Sequence, residues 1–223
     1  KGEGETLYYS FPATPVDADF LVVYHKEILE RHLQSLGFTA KGIEEGLAVI
    51  LSELPDEQFT GIGISFGGGM TNMCLAFMAS SVTGFSVARG GDWIDQQVGA
   101  AVDMTAARVS KFKEGMLDLS KTEGLTKVEE ALSIYYNHLI EYVLTNFKKE
   151  LGKMRSIPDF TKPIPVVLSG GTALPKGFLQ RFEKILSKIH FPIDIGEVRM
   201  ATQPLYSVAK GALVAAMAEE EKT

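Results

Sequence analysis

Three glycine-rich turns carry most of the chemistry that this sequence offers. The stretch GIGISFGGGMTN, residues 61–72, sets Gly67, Gly68 and Gly69 in a row behind an apolar run with strand character. Glycine costs a strand backbone entropy and a side chain to pack. A run of three therefore belongs where the backbone turns sharply or where something approaches it closely. Phosphate oxygens are a common visitor of that kind, because bare backbone N–H groups can point at them. Gly90 and Gly91 in ARGGDWID, and Gly170 and Gly171 in LSGGTALPKG, repeat the device at two strand-to-helix junctions. Taken singly, each is as well explained by a tight turn or close packing; three meeting at one cleft would surround a ligand. SFGGGMT is not a Walker loop, since no Gly-Lys-Ser/Thr follows. It is not a Rossmann fingerprint either, since a strand rather than a helix follows the glycines.

Periodicity predicts the elements that must position these turns. TLYYSFP reads as a strand stopped by Pro12. ADFLVVYHKEILERHLQSLGF places Val22, Leu29, Leu33 and Leu36 on one helical face, and GIEEGLAVILSEL repeats the pattern through Ile43, Leu47, Ile50 and Leu54. FTGIGISF, TNMCLAFM and VTGFSVA follow one another too closely for a crossover helix, which predicts antiparallel strands. DWIDQQVGAAV turns helical, and Asp103 is the expected N-cap of the next helix, DMTAARVSKFKEGML. A capping box, Thr126 with Glu129, opens a long helix whose stripe runs Leu132, Tyr136, Leu139, Val143, Phe147, Leu151. The connector RSIPDFTKPIP leads into the buried strand VVLSGG. A helix with Pro175 near its first turn, the strand FPIDIGEVRM and the small-residue helix PLYSVAKGALVAAMAEE complete the chain.

Composition narrows the function. The 223 residues are 45% hydrophobic and 22% charged, ordinary for a folded domain, and the net charge of −6 argues against a nucleic-acid partner. No apolar run reaches the roughly twenty residues of a membrane helix. The single Cys74 allows no internal disulfide, so a cytoplasmic location is expected. No His, Cys or acidic cluster has metal-ligand spacing, so no protein metal site is expected. The chain opens with Lys1 rather than Met and reads as a fragment of something longer.

In order and wording, the turns resemble the actin-like ATPases, the superfamily of actin, bacterial MreB and FtsA, PilM and the heat-shock chaperone ATPases. ISFGGGMT resembles the second phosphate loop and VVLSGGTALPKGF the adenosine motif. EEGLAVIL and PLYSVAKGAL resemble the two connecting helices, and ARGGDWID the Gly-Gly-Asp segment of MreB-like proteins. The resemblance spans residues 6–220 and implies an α/β fold of the actin-like, ribonuclease H-like kind. Its mixed sheet would hold antiparallel hairpins flanked by helices, with a helical inserted subdomain. Residues 1–42 would be a remnant of the first domain. Residues 43–102 and 163–223 would be the nucleotide-binding core of the second, and 103–162 its insertion.

The same resemblance implies ATP or ADP with Mg as cofactor. Gly67, Gly68, Gly69 and Thr71 would face the phosphates, Gly90 and Gly91 the ribose. Gly170, Gly171 and Thr172 would flank the adenosine with Leu174 on the base, and Lys111 or Lys113 would border the purine. Glu45 matches the acid that orients the attacking water. Ser65 stands where family members carry the Asp that positions the metal's waters, and Asn72 at the later acidic position. Serine brings no negative charge to a hydrated Mg²⁺, so weak or slow hydrolysis is expected, with this fragment alone inactive. Two functions are expected to compete: a self-assembling cytoskeletal ATP-binding subunit like MreB, and a non-polymerising adaptor like PilM that holds a peptide or protein partner. A sugar or acetate kinase on the same fold is disfavoured by the lack of an extra substrate-binding insertion.

Overall fold

The computed structural model describes residues 4–19 and 22–220. Two parallel strands, Thr6–Phe11 (β1) and Thr39–Glu44 (β2), are joined through the helix Val22–Ser35 (α1). Phe20 and Leu21, included in the segment expected to form this helix, lie outside the described residues. The helix Glu45–Glu53 (α2) follows β2 directly. A five-stranded sheet then forms from Gly61–Phe66 (β3), Thr71–Phe77 (β4), Ser80–Val87 (β5), Ile164–Ser169 (β6) and Ile195–Met200 (β7). Its order is β5-β4-β3-β6-β7. The first three strands are antiparallel neighbours, as their short spacing predicts, and β6 and β7 add in parallel beyond β3. The helices Gly91–Val102 (α3), Ala106–Met116 (α4) and Lys127–Lys153 (α5) lie between β5 and β6; Phe178–Leu186 (α6) links β6 to β7, and Ser207–Glu220 (α7) closes the chain.

Both faces of the sheet are covered. The expected α5 stripe is buried throughout and shares one core with Ile62, Ile64, Met73, Leu75, Phe85, Ile164 and Leu168 of the sheet. Phe178 and Phe182 of α6 meet Phe66 edge-on, with ring centroids 5.0 and 6.2 Å away. On the opposite face, Val49, Ile50 and Leu54 of α2 pack on Cys74, Ala76 and Val167. The helix α7 then lies over α2 through Ala48, Leu51 and Ala212. The Thr126–Glu129 capping box is formed in both directions at the start of α5. Among the described residues, no helix is long and apolar enough to cross a membrane.

Four local expectations are corrected. Ile43 is not helical: it belongs to β2, whose parallel pairing with β1 overrides the helical spacing of the apolar residues that follow. Asp103 does not start α4; it ends α3 in the left-handed region at φ 55°, which a short polar side chain tolerates, and Thr105 takes the N-cap position. The α6 helix begins at Phe178 behind Gly177, leaving Pro175 in the preceding loop. The α1 stripe is only partly used: Val22 is buried, whereas Leu29 and Leu36 are exposed.

The helices α7 and α2 pack backbone against backbone at Gly211 and Ala48. A Cβ at Gly211 would lie 1.8 Å from the Ala48 carbonyl oxygen, a backbone atom that cannot swing aside. Gly211→Val is expected to cost at least about 1–3 kcal/mol, the usual scale of overpacking. A lowered urea midpoint with an unchanged denaturant slope measures it.

Candidate functional site

The β3–β6 pairing builds the cleft. Its parallel register aligns Ser65 with Ser169, so the turns that follow these residues leave the same end of the sheet side by side. In open α/β sheets that end, beyond the strands' carboxyl termini, is where ligands bind. The third turn joins them through hydrogen bonds. The Gly67 carbonyl accepts from Gly91 N at 3.0 Å and from Thr172 Oγ1 at 2.8 Å, and the Gly68 carbonyl accepts from Asp92 N at 2.9 Å. All three glycine turns therefore meet at one place.

The glycines divide by what demands them. Gly170 has φ 93°, and a Cβ there would come 2.2 Å from the Phe66 carbonyl oxygen; the backbone itself requires glycine. A Cβ at Gly90 would lie 2.3 Å from the Gly68 carbonyl oxygen, so Gly90 is pressed beneath the hairpin tip rather than opened to a ligand. Gly69 is the reverse case. Its φ lies outside the left-handed region, and nothing stands within 4 Å of where its Cβ would be. Neither strain nor packing requires glycine at that position. The N–H groups of Gly68 and Gly69 also have no acceptor among the described residues. The hairpin tip thus sends its carbonyls inward to the protein and leaves two bare N–H donors free. The hydroxyl of Thr71, expected at a ligand, instead donates to the Arg89 carbonyl at 2.8 Å and braces the hairpin.

An acid sits at the root of the hairpin. Glu45 is the first residue of α2, and its Oε2 accepts from Ser65 Oγ at 3.0 Å and Asn72 Nδ2 at 3.2 Å. The β3–β4 register sets Ser65 opposite Asn72, so one carboxylate spans both strands. Burial raises the Glu45 pKa above its ordinary value, outweighing the two hydrogen bonds, which lower it. The oxygen of the same Asn72 amide accepts from Ala13 N at 2.9 Å. A second acid, Asp92, lies at the tip: its carboxylate would be 3.4 Å from a Cβ at Gly68. Among the described residues, no group of three or more His, Cys, Asp or Glu has the geometry to hold a metal ion.

The register of α4 separates the two candidate lysines. Lys111 is exposed and points elsewhere, whereas Lys113 is nearly buried. Its Nζ donates to the Gly91 carbonyl at 3.0 Å and sits 2.9 and 2.8 Å from the two oxygens of Asp95. Beside it opens a cavity of about 430 Å³ whose walls include Lys113, Glu114, Tyr136, Gly171 and Leu174. Leu174 is half exposed at its mouth. Tyr136 is fully buried, and its hydroxyl has no hydrogen-bond partner. Burial and the Asp95 charge both raise the pKa of that hydroxyl. Sequence reasoning missed Tyr136 as part of this wall and Asp95 as the partner of Lys113, because a core aromatic and a helix-start acid carry no distinguishing local signal.

The arrangement has known counterparts. The MamK double helical filament shares the fold at TM-score 0.74 and 16% identity, covering 97% of this chain and 70% of that chain. MreB5 of Spiroplasma citri bound to AMPPNP gives TM-score 0.73 and 13% identity over 99% of this chain and 70% of that one. The ethanolamine utilization protein EutJ from Carboxydothermus hydrogenoformans gives 0.59 and 18%, over 83% of this chain, which spans 60% of EutJ. At these identities the likeness establishes the actin-like ATPase fold. No curated protein matches the sequence. A family model described as Volactin matches residues 1–216. A hairpin tip, a strand-to-helix bend and a capped α3 gathered on an actin-like sheet are therefore the frame of a protein that belongs to the volactin family.

Proposed function

We propose that this chain is the nucleotide-clasping part of an actin-like ATP-binding protein of the prokaryotic cytoskeletal kind, cytoplasmic, self-assembling and slow to hydrolyse ATP. One observation carries the reading: three glycine turns converge while the Gly68 and Gly69 N–H groups remain without protein acceptors. Those donors suit phosphate oxygens. The neighbouring cavity, lined by Lys113, Gly171 and Leu174, suits an adenosine. Structural neighbours crystallised with AMPPNP or ADP, and one solved as a filament, support both halves of the reading. In the same reading residues 43–102 and 163–223 are the nucleotide-binding core, 103–162 the helical insertion laid over the same apolar interior, and 1–42 part of a first domain.

Phosphoryl transfer rests on positioning and on charge placement. Glu45 is the group that would orient the attacking water and accept its proton, and its raised pKa makes it a better base than an exposed glutamate. A bound Mg²⁺ would supply charge neutralisation at the phosphates. The side chains that would hold its waters are Glu45 and the neutral Ser65, and the missing second carboxylate is the reason for slow turnover. The same Ser65 favours a second reading, an adaptor that binds nucleotide as a clamp and does not polymerise.

Calorimetry of the intact protein is expected to show ATP and ADP competing for one site. Gly69→Val, which strains nothing in the fold, should weaken both at least about tenfold, or about 1.4 kcal/mol. Absence of heat with ATP, ADP or GTP overturns the reading. Sedimentation with ATP separates filaments from a persistent monomer, the adaptor's signature.

Glu45→Gln keeps an acceptor for Ser65 and Asn72 and should slow hydrolysis about a hundredfold, at the low end for a lost general base. It also has a pH signature. A carboxyl whose folded pKa is raised binds more protons folded than unfolded, so its contribution falls as pH rises from the ordinary glutamate value through the folded one. Thermal melts across mildly acid to neutral pH should show Glu45→Gln losing that part of the decline and gaining stability relative to wild type at the upper end.

A further inference from the structure

A cavity of about 600 Å³ lies away from the cleft of the glycine turns. It lies in the groove between α5 and α6, and none of Gly67, Gly68, Gly69, Gly90, Gly91, Gly170 and Gly171 lines it. Its central feature is Arg181, half buried near the start of α6. The guanidinium donates through Nη1 to Ser133 O at 2.9 Å, Ser133 Oγ at 2.6 Å and Asn137 Oδ1 at 3.1 Å. Through Nη2 it donates to Leu119 O at 2.6 Å. All four acceptors are uncharged, and among the described residues no carboxylate forms an ion pair with Arg181. Burial accordingly lowers its pKa, with no neighbouring acid to offset the loss of water.

A partly desolvated cation tied only to neutral oxygens is held in place but not neutralised. The groove adds more charge of the same sign. Lys184, three residues on along α6, and Lys188, in the turn just past its end, line the same cavity, both exposed and without an ion pair among the described residues. Thr122 and Gln180 bring further donors, and the start of α6, capped by Gly177, adds the positive end of a helix dipole. Against these cations the wall offers one acid, the exposed Glu141 on α5. In a chain of net charge −6 this is a local reversal of sign inside a concavity.

We propose that the α5–α6 groove is a second ligand site that binds a small phosphate-bearing anion between Arg181, Lys184 and Lys188. Arg181 supplies the pre-oriented charge at the base and the two lysines close on the anion from the rim. The site is independent of nucleotide binding at the glycine turns.

Titration of the intact chain with inorganic pyrophosphate tests it in four backgrounds. Wild type is expected to bind. Lys184→Ala/Lys188→Ala, which removes only exposed side chains and should melt as wild type does, is expected to lose at least tenfold in affinity. Gly69→Val, which removes pyrophosphate binding at the other cleft, is expected to keep binding at the groove with its dependence on the two lysines. Arg181→Gln, monitored for folding by its melt, is expected to lose binding further. A double lysine change that leaves affinity unaltered in the Gly69→Val background, binding abolished by Gly69→Val, or no binding at all overturns the proposal. Vesicles containing phosphatidic acid provide the other source of the same chemistry. Lysine-dependent capture on vesicles without pyrophosphate binding also overturns it, because that outcome describes a flat surface rather than a groove for a soluble ligand.

Discussion

The parallel pairing of β3 with β6 is the constraint on which the rest of the molecule depends. Residues separated by about a hundred positions, Ser65 and Ser169, are set side by side in its register. Everything at the cleft follows from that alignment. The chain leaves β3 through a hairpin tip and leaves β6 through a bend, and both leave at the same end. Gly170 permits the alignment to be this tight, because only a residue without Cβ can turn at φ 93° against the Phe66 carbonyl. A parallel pair demands a long crossover, and here the crossover includes α3, α4 and α5. The helices between the strands are thus a consequence of the same pairing, and α5 repays the long connection by burying its stripe on the sheet that the pairing creates.

The root of the hairpin shows how neutral neighbours shape the use of an acid. Two carboxylates side by side would repel, and a metal ion would be needed to relieve them. Here Ser65 and Asn72 both turn donors toward Glu45 Oε2, and Glu45 is the one ionisable group of the three.

Much of this was legible in the residues, and the limits have physical causes. The strands β3, β4 and β5 were readable because their apolar runs are close together and only antiparallel pairing spans such gaps. The start of α5 was readable because a capping box is local chemistry. β2 was not: its sequence TAKGIE carries little alternation, and it is a strand because β1, far off in the chain, pairs with it. Asp103 looked like an N-cap because the same short polar side chain that starts helices also tolerates the left-handed turn that ends one. Lys111 and Lys113 were inseparable in sequence, since two positions along a helix is about half a turn and only packing tells which face is inward. The Glu45–Asn72 contact needed strand register, and register is not written in any one strand.

The buried pair of Lys113 and Asp95 ties these pieces into one mechanical unit. Both side chains are almost wholly removed from water, with exposures of 9% and 5%. Two such ions gain little net stability from each other, because desolvation consumes most of the attraction, yet separating them would strand a charge. The pair therefore fixes geometry more than it adds stability. Lys113 also holds the Gly91 carbonyl, and the Gly91 N–H holds the Gly67 carbonyl of the hairpin tip. The chain of contacts runs from α4 through the start of α3 to the tip without a gap. The cavity beside Lys113 and the bare N–H groups at Gly68 and Gly69 are the two ends of that chain. A ligand long enough to reach both would be read by a single rigid network, and α4 could not shift at one end without disturbing the donors at the other.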